Sequence, residues 1–76
     1  MPVLNSIELE GVSTTSWDDA AREAVREAGR TLRKMKRLDV LHTAASVVEG
    51  GTVEFRTTIR LYFEIDRQTT ITPTGA

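Results

Sequence analysis

In Gly11-Val12-Ser13-Thr14-Thr15-Ser16-Trp17-Asp18-Asp19-Ala20-Ala21 a strand ends, the chain turns and a helix begins. Ser16 is an N-cap whose hydroxyl is placed to accept from the Asp19 N–H, and Ser16-x-x-Asp19 approximates a capping box. Asp18 and Asp19 put negative charge in the first turn, where the free N–H groups and the macrodipole favour it. The segment is therefore a fold signal, and helix capping accounts for both carboxylates without a metal.

Upstream, Val3 to Glu10 alternates: Asn5, Ile7 and Leu9 share one face, with Leu4, Ser6, Glu8 and Glu10 opposite, as in a half-buried strand. Downstream the period becomes helical from Trp17 to about Lys34. Ala20, Ala21, Ala24, Val25, Ala28, Leu32 and Met35 form a stripe, with Arg22, Glu23, Arg26, Glu27, Arg30 and Arg33 outside it. A stripe made mostly of alanine lets the helix lie close on a sheet. Glu23 with Arg26 and Glu27 with Arg30 are favourable i,i+3 pairs.

Lys36 to Val48 reads as a second strand, with Leu38 and Val40 on one face, Arg37, Asp39 and Leu41 on the other, and His42 sharing the helix-facing parity of Val40. Glu49-Gly50-Gly51-Thr52 supplies a turn in which the glycines adopt positive φ, making a hairpin. Val53 to Ile65 is the cleanest alternation. Val53, Phe55, Thr57, Ile59, Leu61, Phe63 and Ile65 face the helix, while Glu54, Arg56, Thr58, Arg60, Tyr62 and Glu64 face away. The fold class is α+β, in the order β-α-β-β: a three-stranded antiparallel sheet wrapping one helix. One domain is expected over residues 1–66, with 67–76 a disordered threonine-rich tail.

A chain of 76 residues builds a marginal core. With no cysteine and a single histidine, disulfides and a structural metal are poor remedies, so self-association is expected. Ten basic and eleven acidic residues leave a net charge of −1, which favours neither nucleic acid nor an anionic membrane. No apolar run reaches the ~20 residues of a membrane span, and a cytoplasmic location is expected. No nucleophile motif, no phosphate loop before the helix and no cluster of metal ligands is present, so neither catalysis nor a metal is expected.

The Gly11 to Ala20 segment, the helix end at Ala24, Ala28, Thr31 and Leu32, the Glu49-Gly50-Gly51 hairpin and the last alternating strand together resemble the dodecin family, from about Val3 to Asp66. The resemblance implies a hollow homododecamer that stores and sequesters flavin, riboflavin or FMN, without catalysing a reaction. In that family a tryptophan at the start of the second strand stacks on the isoalloxazine ring, and a glutamine in the third strand bonds its polar edge. Here those columns hold Arg37 and Arg56. With Asp39 and Thr58 they form the cofactor-binding set that the resemblance implies.

A guanidinium is planar and stacks on an aromatic ring with ~0.5–2 kcal/mol. Four arginines, Arg37 and Arg56 from two subunits, suit an anionic ligand such as FMN better than a neutral ring. The opposing expectation is a shell that has lost flavin and serves as a structural, ion-binding or anion-binding assembly, with Arg37 and Arg56 in salt bridges between subunits. Trp17, at the first helical position, is expected to pack rather than to touch ligand.

Overall fold

The last alternating stretch, from Val53, becomes the middle of the sheet. In the computed structural model, which describes residues 3–65, strand β1 (Leu4–Ser13) is followed by helix α1 (Trp17–Ala28) and strand β2 (Met35–Val47). A single 3₁₀ turn (Glu49–Gly51) then leads to β3 (Val53–Glu64). The order across the sheet is β1-β3-β2, with both pairings antiparallel. The architecture is the β-α-β-β arrangement read from the sequence. The expected domain boundary at 66 and the tail 67–76 lie outside the described residues.

The helix packs over β1 and β3. Ala24 and Ala28 are buried against Ile59 and Leu61, with Ile7, Leu9, Val25, Leu32 and Leu38 closing the margins, and Ala20 is buried nearer the helix start. The alanine stripe brings backbone against backbone. A Cβ at Gly11 would stand 1.8 Å from the Ala20 carbonyl oxygen, so only glycine fits that point of β1. Thr57, also buried, spends its hydroxyl on the Trp17 carbonyl at 2.9 Å. Because the helix covers two strands, β2 keeps its inward residues wet, with Val40 55% and Val47 77% exposed. Between helix and β2 runs an open groove of about 460 Å³ with Ala21, Val25, Leu38 and Val40 along it.

The cap is as expected: Ser16 Oγ accepts from the Asp19 N–H at 3.0 Å. The Asp19 carboxylate does not reach back to Ser16. It accepts from the Ser13 hydroxyl at 2.7 Å, and Ser13 Oγ in turn accepts from the Thr15 N–H at 2.9 Å. The carboxylate thereby ties the end of β1 to the start of the helix. The Arg26–Glu23 and Arg30–Glu27 pairs both form, and the Glu23 hydrogen bond and charge raise the pKa of Arg26.

Two expectations are corrected. The helix ends at Ala28 rather than near Lys34: after Gly29 the bonds tighten, with the N–H groups of Arg30 and Thr31 donating to the carbonyls three residues back, at 3.2 and 3.1 Å. Leu32 and Met35 still pack on the core, but Leu32 does so from a loop and Met35 from the first position of β2. That loop closes through Lys34 in the left-handed region (φ 57), whose carbonyl accepts from the Glu64 N–H at 3.1 Å.

The second correction concerns β2, where register shifts fall between Met35 and Arg37 and between Val40 and His42. Leu41 is the extra residue of a bulge, with no partner on β3. His42 therefore pairs with Thr58 on the face away from the helix, not with Val40 on the helix side. The hairpin conforms, Gly50 and Gly51 taking φ 89 and 85.

Candidate functional site

The sheet face away from the helix collects nearly all the singled-out chemistry. Cross-strand partners in a sheet share a face, so the register orders this surface into rows. Ser6, Tyr62 and Arg37 form one row; Glu8, Arg60 and Asp39 the next; then Glu10, Thr58 and His42; then Val12, Arg56 and Ala44. Arg37, Asp39, Thr58 and Arg56 are thus on one face, as expected. They are not in one place. Six residue steps along β3 separate the Tyr62 row from the Arg56 row, about 20 Å at ~3.4 Å per residue. A single ring cannot touch Arg37 and Arg56 of the same chain.

Each arginine of this face has partners within the chain. The Arg56 Nε donates to Ser46 Oγ at 2.8 Å, and its two terminal nitrogens meet Glu10 at 3.3 Å and Glu54 at 3.4 Å. With both flanking strands supplying partners, this guanidinium is held on three sides. Arg60 meets Glu8 at 3.3 Å. Such exposed pairs contribute little singly, and they matter here by fixing geometry and neutralising the face locally.

Arg37 is different. Its Nε lies 3.5 Å from Asp39, its side chain remains 60% exposed, and its Cζ sits 4.2 Å from the centroid of the Tyr62 ring. That is a cation–π geometry. Sequence reading placed Tyr62 on this face without connecting it to Arg37. Counting back from the Gly50-Gly51 turn in an unbroken ladder would set Arg37 against Phe63 on the helix side. Only the bulge at Leu41 brings it opposite Tyr62.

Trp17 lies on the other side of the sheet. Its indole N–H donates to the Ala44 carbonyl at 2.8 Å, and its ring meets Phe55 edge-on with centroids 4.9 Å apart. The side chain is 44% exposed but fastened at both ends, which is a packing role. Asp18 stands by the groove between helix and β2, and Asp19 is engaged by Ser13. Among the described residues no three His, Cys, Asp or Glu side chains converge, and no helix is long and apolar enough to cross a membrane.

The described residues form a small α+β protein, a half-covered sheet whose open face carries ordered cations. The dodecin family model matches residues 3–66, and the chain belongs to that family. Solved structures agree. The Streptomyces coelicolor dodecin is 28% identical with a TM-score of 0.80, the match covering 87% of this chain and 94% of that one. A calcium-chelating antigen of Mycobacterium tuberculosis, described as a calcium dodecin with a novel calcium-binding site, is 26% identical with a TM-score of 0.78, over 91% and 99%. A point mutant of the Thermus thermophilus dodecin is 24% identical with a TM-score of 0.82, over 88% and 98%, and speaks for the fold alone. A search of curated proteins finds no match. Family and fold together support a small protein of the flavin-binding type.

Proposed function

We propose that this dodecin binds a flavin, FMN in preference to riboflavin, and stores it without catalysing a reaction. One observation carries the reading: in the family's ring-stacking column stands Arg37, a planar cation whose Cζ lies 4.2 Å from the Tyr62 ring centroid and whose side chain is 60% exposed. A guanidinium replaces the stacking area of an indole and adds a charge that meets a phosphate or an electron-rich ring edge. Asp39 lies one row along the same face and Thr58 two rows along, about 14 Å from Tyr62 at ~3.4 Å per residue. Arg56 of the same chain is too far away, so its part in the site is played from a second subunit. The site is therefore completed by the homo-oligomer, a dodecamer by family precedent.

The deciding experiment is a titration of FMN and riboflavin into the size-calibrated oligomer, read as quenching of flavin fluorescence. Saturable quenching, tighter for FMN and weakened by salt, is the expected outcome. An intact oligomer that quenches neither flavin defeats the proposal. It would instead favour the second reading, a shell in which Arg56, held by Ser46, Glu10 and Glu54, is a structural tie and the assembly serves ions or other anions.

A further inference from the structure

Arg37 alone would be a poor replacement for an indole. An arginine on an open sheet face samples many rotamers, and each must be frozen when a ring lands on it. Here the guanidinium is already in place. It lies 4.2 Å above the Tyr62 ring, and its Nε faces Asp39 at 3.5 Å. Tyr62 is a good support: it is half-buried on the central strand β3, paired with β1 through Ser6 and with β2 through Arg37. The next cation on this face, Arg60, is tied to Glu8 and does not compete for the ring.

We infer that Tyr62 is a positioning residue of the ring site, holding the Arg37 guanidinium flat so that its open face stacks on a planar conjugated ligand. The order is Tyr62 ring, guanidinium, ligand ring, a cation between two π faces that it attracts equally. Serine opposite Tyr62 on β1 leaves room beside the stack. The ligand class is a flat conjugated ring bearing negative charge. This rests on the flavin reading above.

The test is a double-mutant cycle on the assembled protein, with FMN as probe and gel filtration to establish oligomer size for each variant. Tyr62→Leu keeps apolar bulk but removes the π face, and is expected to weaken FMN binding about 3- to 10-fold, the factor associated with immobilising one long side chain. Tyr62→Phe keeps the face and restores affinity to within about twofold. In an Arg37→Ala background, Tyr62→Leu is expected to change binding by less than about twofold, because the residue through which Tyr62 acts is gone.

Two results overturn the inference while leaving flavin binding intact: Tyr62→Leu binding like the parent, or Tyr62→Leu costing as much without Arg37 as with it. The latter would mean that the tyrosine touches the ligand itself. A parent protein that binds neither flavin removes the functional reading and this inference together. Should Tyr62→Leu not assemble, the strand-favouring Tyr62→Ile takes its place with the same expectations.

Discussion

Replacing Gly11 by alanine is the sharpest test of how the helix is seated. The added Cβ would lie 1.8 Å from the Ala20 carbonyl oxygen, 2.8 Å from its carbonyl carbon and 3.2 Å from the Ala24 Cβ. Contacts of real Cβ atoms begin at about 3.0 Å, so the backbones of β1 and α1 must part by about 1.2 Å. No side-chain rotation relieves the clash, since the obstacle is main chain. Parting the layers loosens Ala24 from Ile59 and Leu61, in a core with five buried apolar side chains among the described residues. Overpacking of a well-filled core costs ~1–3 kcal/mol, and a main-chain obstacle puts Gly11→Ala at or above about 3 kcal/mol.

Gly50→Ala is the companion. Nothing lies within 4 Å of its Cβ position, so only the positive φ of 89 is unfavourable, worth about 1 kcal/mol. Urea unfolding at one fixed protein concentration, followed by far-UV circular dichroism, measures both. The reasoning is refuted if Gly11→Ala unfolds within ~0.5 kcal/mol of the parent, or if the two substitutions cost the same.

Three smaller effects follow from the same contacts. Ser16→Ala removes the oxygen that accepts from the Asp19 N–H and should lower stability by about 1 kcal/mol, whereas Ser16→Asn should hold it, both read by urea unfolding. Trp17→Phe retains an aromatic edge against Phe55 but leaves the Ala44 carbonyl without the indole donor, a cost of about 0.5–1.5 kcal/mol, with FMN affinity unchanged if the residue only packs. Lys34→Gly relieves a left-handed lysine at φ 57 and should raise the unfolding midpoint, by up to ~1 kcal/mol; a fall in the midpoint would show that the lysine side chain supplies more than its backbone costs.

The architecture was legible because separate signals agreed. Ser16 with the paired aspartates located the helix start, the alanines gave its buried stripe, and the alternation from Val53 to Ile65 set the third strand. The helix end was not legible, since Leu32 and Met35 continue the apolar spacing and pack on the core even though the chain has left the helix. A bulge was equally hidden. Leu41 is apolar on either face, so nothing in its chemistry announces that the alternation slips there. The same slip concealed the Arg37–Tyr62 pair. At the candidate site, sequence placed Arg37, Asp39, Thr58 and Arg56 on one face, but not the roughly 20 Å along the strand that separates the two arginines.

The slip at Leu41 also writes itself into how β2 can vary. From Arg37 to Val40 the odd positions look away from the helix; from His42 to Val47 the even ones do. A saturation mutagenesis profile of this strand should therefore change phase halfway. Charged substitutions should be accepted at 37 and 39, then at 42, 44 and 46. Losing one residue at 41 should disturb the strand less than losing one at 39 or 43, because it merely joins two ladders already in step with β3. Substitution patterns and length variants concentrated at this position would be the evolutionary trace of one unpaired residue.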